Sequence, residues 1–266
     1  MSAPAFQSLT LDDLTIEDEA SFRHVALYDD LKQVLRRASY RFRVLPPAYA
    51  GRWDRALLLN LTFWGASAGG DVLEGASLPA DVVAHVAWHH LAVRALGGAG
   101  EPPTAEGLFL GESIASAFDV YLVGRLLGHA PRSTFLETQV PAMADAAEAA
   151  GVSEDGFDAL LQGVARDPER AFEDLRQLLF DVSTALLASR DADEALATLA
   201  RFDAHRFAPL LHRHELSNWV LYARAHAPGA LGSDPRARAI DTALREDAVA
   251  LDGLLSRWVT PALREA

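Results

Sequence analysis

Asp81-Val-Val-Ala-His85-Val-Ala-Trp-His89-His90 is the stretch that decides how this chain is read, and Gly111-Glu112-Ser-Ile-Ala-Ser116-Ala-Phe-Asp119 is its partner. Pro79, Asp81 in a first turn, and Gly97-Gly98 at the far end bound the first stretch as a helix. Within it His85 and His89 are four residues apart, which places both rings on one face, one turn apart. Two imidazoles in that relation can reach one ion. His90 points about 100° away from His89 and reads as a hydrogen-bonded core or boundary residue.

The second stretch predicts a helix from about Thr104 to Leu127. Glu112, Ser116 and Asp119 fall on one stripe of it, among Leu108, Phe109, Leu110, Ile114, Ala115, Ala117 and Phe118. A carboxylate on so apolar a surface is costly to ionise unless a cation stands nearby. Glu112 is therefore the candidate third ligand. Asp119, with Ser116, would support the site by accepting a proton from the back of a histidine. The competing explanation for the two acids is an N-cap or a buried ion pair with Arg94 or Arg125.

Val82-Val83-Ala84-His85-x-x-x-His89, followed by Glu112 on the next helix, resembles the core of the gluzincin, thermolysin-like metallopeptidases. In that family the first helix carries H-E-x-x-H, and a glutamate on the following helix completes a zinc site. The resemblance implies His85, His89 and Glu112 as ligands and covers about 40 of 266 residues. The family's general base follows its first histidine directly, and Val86 stands there. General base catalysis is worth about 10²–10⁴-fold, so the resemblance implies metal binding more than proteolysis. The family's aspartate comes four residues after its glutamate, where this chain has Ser116, with Asp119 three further on.

Composition narrows the classes. Acidic residues number 37 against 24 basic ones, a net charge of −13, which argues against nucleic acid and against anionic membrane surfaces. There is no cysteine, so any metal must be held by His, Asp and Glu, which suits zinc, with iron as the alternative. The first 18 residues lack a basic, then apolar, leader pattern, and no uninterrupted apolar run of membrane-spanning length is read. The expectation is a soluble, cytoplasmic protein taking a small-molecule or peptide substrate.

Along the chain, residues 1 to about 18 read as a loose lead-in and Glu19 to Phe42 as one helix stopped by Pro46-Pro47. Ala56 to Trp64 reads equally as buried helix or strand, and Gly65 to Gly75 as a loop whose Asp71 and Glu74 are either extra ligands or ordinary loop acids. Ser133 to Ala149 predicts a helix interrupted near Pro141. Asp167-Pro168 starts a long amphipathic helix, and Ser233-Asp-Pro235 a last one ending near Pro261. The cluster His205 to Glu215 offers His212 and His214 as a further ligand or as a donor to an oxyanion.

The expected fold is mainly α, a multi-helix bundle with room for a small sheet before the metal-site helix. It is read as one domain over 1–266, a metal-site half (1–130) and a helical half (131–266) being the alternative. Three functions are open: a zincin-like metalloprotein, either a degenerate peptidase or a hydrolase with a non-standard base; a non-haem iron or di-iron oxidoreductase; and a helical scaffold without a metal.

Overall fold

A computed structural model describes residues 5–61, 70–97, 104–130, 132–226 and 233–264. The fold is mainly α, with two small sheets among the described residues. In chain order come β1 (Gln7–Thr10), β2 (Thr15–Glu17), α1 (Glu19–Phe22), α2 (Ala26–Arg37), β3 (Arg41–Val44), α3 (Trp53–Leu61), β4 (Val72–Leu73) and β5 (Ser77–Pro79). Next are α4 (Ala80–Leu96), α5 (Ala105–Leu126), α6 (Thr134–Ala149), α7 (Glu154–Arg166), α8 (Pro168–Leu187) and α9 (Ala192–Ala200). The chain then runs through α10 (Arg213–His226), α11 (Pro235–Glu246), α12 (Ala250–Leu254), a π turn at Leu255–Val259 and α13 (Thr260–Arg264).

The strands precede α4 and hold its start. β1 pairs antiparallel with β3, Gln7 opposite Val44, and β3 pairs parallel with β4. β2 pairs parallel with β5, and β5 runs straight into α4.

Several local expectations are corrected. The lead-in contains β1 and β2, and Thr10 closes a turn by donating from its backbone N to Asp13 at 2.9 Å. The single helix over 19–42 is broken. Ser39 takes φ 48° after α2, and Arg41-Phe-Arg-Val44 then alternates Phe42 and Val44 inward as a strand. Ala56–Leu61 lies within helix α3, not a strand; Thr62 to Trp64 lie outside the described residues. Part of the expected 65–75 loop is β4, fixed to α3 because the Asn60 side chain bonds the Val72 backbone in both directions at 2.9 Å. α6 passes through Pro141 unbroken. Pro141 is exposed, so water can satisfy the carbonyl its ring leaves unpaired. The last helix is divided into α11, α12 and α13, and it continues past Pro261.

α5 is the axis of the bundle, lying between α4 and α8. It is apolar over most of its surface because neighbours cover most of it: Phe109, Leu110, Ile114, Phe118 and Leu122 are fully buried. By length and hydropathy it would qualify to cross a membrane, where the sequence reading found no such run; 83% of that window is covered by the protein itself. Close approach is needed at Gly124, where a Cβ would come within 2.7 Å of the Val164 carbonyl oxygen.

α8 and α11 are joined by charge. Arg176, fully buried, gives Glu173 a bidentate pair at 2.7 and 2.7 Å and Asp241 a third bond at 2.7 Å. Arg245 holds the other Asp241 oxygen at 2.8 Å.

Candidate metal centre

α4 begins where β5 ends: Pro79 is the N-cap, extended at φ −62° and ψ 147°, and Asp81 sits in the first turn. Gly97 closes it with a backbone bond to Val93. Val83, Ala84, Val86, Ala87, Trp88 and Leu91 are buried, which leaves Asp81, His85 and His89 as one stripe with a spacing of four. α5 starts at Thr104, whose hydroxyl accepts from Gly107 N at 3.0 Å. A Cβ at Gly111 would lie 3.3 Å from the Ala92 Cβ, so the glycine before Glu112 sets how near the two helices come.

The donors meet across that contact. His89 Nε2 is 3.1 Å from His85 Nε2 and 3.5 Å from Glu112 Oε2. One ligand atom from each of the three residues lies within 4.8 Å of the others. Zinc–nitrogen bonds of about 2.0–2.1 Å in tetrahedral geometry put neighbouring donors roughly 3.3 Å apart, close to the separations of 3.1 and 3.5 Å here. His85 Nδ1 faces Asp119 Oδ2 at 3.6 Å, an ion-pair distance longer than a hydrogen bond. Asp119 thus faces the ring nitrogen of His85 that is not turned to His89. Ser116 is half-buried between the two acids on the same stripe. The alternative pairing with Arg125 is not made, since Arg125 pairs with Glu169.

Burial and mutual charge set the electrostatics of the three groups. Burial pushes the Glu112 carboxyl up to about 7, opposed by His85. Burial alone would lower His85, but Asp119, with Glu112 and Asp71, raises it to about 9. Burial and the His85 charge lower His89 to about 4. The two rings, 3.1 Å apart, oppose each other's charging, and Asp119 favours the charge on His85. Raised folded-state values mean that the stabilising proton on His85 is fully present below the ordinary histidine value of about 6.5 and lost as pH rises through about 9. Glu112 acts in the same direction, losing its contribution as pH rises from about 4.5 through about 7. His89 acts oppositely, and only below about 6.5. Metal-free protein should accordingly lose thermal stability between pH about 6.5 and 9, and His85→Gln should flatten that slope; melting curves across the range check it.

Three further acids interact electrostatically with members of the triad. Asp81 is half-buried one turn before His85, its carboxyl pushed up to about 6 by burial and then by Asp119. Asp71 accepts from the Tyr40 hydroxyl at 2.8 Å and acts on His85, His89 and Glu112. Glu215, on the first turn of α10, keeps solvent contact. Its carboxyl is raised by the protein packed around it; His212 lowers it, and Asp119 and Glu112 add to the rise. Asp81, expected as a helix-end charge, and Asp71, expected as an extra ligand or a loop acid, both belong to this charge field. The spacing of four from Asp81 to His85 is a visible signal; Asp71 shows in the sequence only as a loop acid and Glu215 not at all, because tertiary packing brings them in.

The remaining histidines lie elsewhere. His90 turns away, its ring edge-on to Tyr40 at 5.6 Å, and its buried Nε2 has no hydrogen-bond partner among the described residues. His214 is exposed and bonds Asn218 along its own helix at 3.4 Å. His212 is exposed beside Glu215. Neither joins the group of three donors. His205 accepts from Phe207 N at 3.2 Å. Glu74 is exposed.

Widening the Gly111 contact should open the donor set. Gly111→Ala needs a give of a few tenths of an ångström and should leave metal affinity near the parent's. Gly111→Val should weaken it about tenfold or more, as loosened support does; zinc titrations of the two variants read the difference.

Comparison of the chain with family models, with curated proteins and with solved structures gives no match.

Proposed function

We propose that this chain is a zincin-like metalloprotein holding zinc through His85, His89 and Glu112, with Asp119 orienting His85. The observation that carries the reading is the convergence of three donors from two neighbouring helices, at 3.1 and 3.5 Å along two edges. A carboxylate placed behind one histidine supports it further. Zinc held in such a site supplies a Lewis acid that activates water near neutral pH. Val86, at the position where gluzincins carry their base, is buried in the core. Hydrolysis here draws its proton acceptor from the acids around the triad, not from residue 86, and peptidase activity of the gluzincin kind is not expected.

Metal analysis of protein purified from unsupplemented medium, followed by zinc titration, tests the reading. Near-stoichiometric zinc is expected, and protein that neither carries zinc nor takes it up ends the proposal. A second reading rests on the donor set itself: two histidines and one carboxylate also suit non-haem iron. Iron in the purified protein, with an oxygen-dependent spectrum, selects it.

A further inference from the structure

We infer that the hollow between the end of α8 and α9 binds a small monocarboxylate, its head held by Arg201, Ser189 and Thr198 and its aliphatic body by alanine side chains. The inference uses none of the metal-site residues and stands apart from that reading.

Small side chains set the space. Ser189 follows the end of α8, and the chain turns through Arg190 and Asp191 into α9. Between the two helices lies a cavity of about 370 Å³, within the range of about 300–1,000 Å³ common to small-molecule sites. Ala185 and Ala188 line it from the end of α8, and Ala197 from α9.

The same cavity gathers donors that lack acceptors. Ser189 and Thr198 are buried, and their hydroxyl oxygens lie 3.4 Å apart. Arg201 Nη2 donates to Thr198 Oγ1 at 3.1 Å. The two hydroxyls carry two hydrogens and share one contact. Whichever of them donates, the other hydrogen has no acceptor among the described residues. Arg201 lines the cavity too, and among the described residues its guanidinium forms no ion pair. The nearest arginines along the chain are committed, Arg190 to Glu194 and Arg206 to Asp174.

Charge and shape name the ligand class. One guanidinium without a counter-ion calls for one negative charge, and a carboxylate matches its fork. Glu194 stands on the cavity wall, held by the Arg190 backbone N–H at 2.9 Å and by the Arg190 guanidinium. Its charge opposes a second negative charge beside it, which disfavours a dianion such as phosphate. The C-terminal carbonyls of α8 would also oppose an anion. Arg224 covers them, its Nη2 donating to Leu187 O at 3.3 Å and to Ser189 O at 2.5 Å. The alanine methyl groups offer the remaining wall to the methylene groups of a short chain.

The test titrates the full chain with butyrate, butyramide and inorganic phosphate, followed by NMR, in zinc-loaded and in chelator-treated protein. Butyrate is expected to bind about tenfold or more tighter than its neutral amide or phosphate. Its dissociation constant should be the same with and without zinc. Arg201→Gln, at an exposed position, should weaken butyrate about tenfold or more. Ala197→Leu, also exposed, leaves every donor in place and should abolish binding by filling the cavity. Absence of butyrate binding at millimolar concentration overturns the proposal. So does butyramide or phosphate binding as tightly as butyrate, or butyrate affinity that neither substitution changes. Affinity that depends on zinc would put the carboxylate on the metal centre and overturns it as well.

Discussion

His89→Ala is expected to empty the metal site, taking bound zinc from near stoichiometric to background. His89 is the hinge of the donor set, its Nε2 lying 3.1 Å from His85 and 3.5 Å from Glu112. With it gone, the two remaining donors are joined by no short edge. Asp119→Asn should do less, weakening zinc by roughly 10–100-fold, because it faces the back of His85 and offers nothing to the ion directly. The ordering matters more than either value. If Asp119→Asn proves as damaging as His89→Ala, the aspartate is itself a ligand and the assignment changes. If neither moves zinc affinity, the ion is held elsewhere.

Arg176→Ala should produce the largest loss of stability in the molecule, about 3–5 kcal/mol. The guanidinium is fully buried and carries three bonds of 2.7 Å to Glu173 and Asp241. Its removal strands two carboxylates that are themselves less than a tenth exposed. Arg245 and Gln177 keep a partial hold on them, which places the cost below that of two isolated buried charges. The melting temperature should fall by roughly 10 °C, read by thermal or urea unfolding. Arg176→Lys should recover part of the loss, since an ammonium cannot reproduce the bidentate fork. A change under about 1 kcal/mol would mean that this pair behaves like an exposed one.

Much of the helical layout was legible because its signals are local. Thr104, Ser153, Asp167 and Asp234 each accept a cap bond from a backbone N–H at the start of their helix. The pairing of Glu112 with the two histidines could be read because two apolar helices in succession each carried ionisable groups at helical spacing. Residues 41–44 were misread because four arginines between 36 and 43 imitate a basic helix end, whereas the chain reverses at Ser39. α3 could not be assigned because a short apolar run has no period to read. Asp71 could be singled out only as one of two loop acids, and Glu215 not at all, for a different reason: a parallel strand pair and the packing of α10 deliver them, and neither leaves a mark within its own segment.

The burial of α5 from end to end has a consequence for how metal and chain come together. This helix should exchange its amide hydrogens last, opening only when the whole molecule does. The carboxylate it contributes is therefore in place before any ion arrives, and loading demands no ordering of backbone. Small zinc domains collapse when stripped; here a chelator should extract the ion and leave a folded, refillable protein behind.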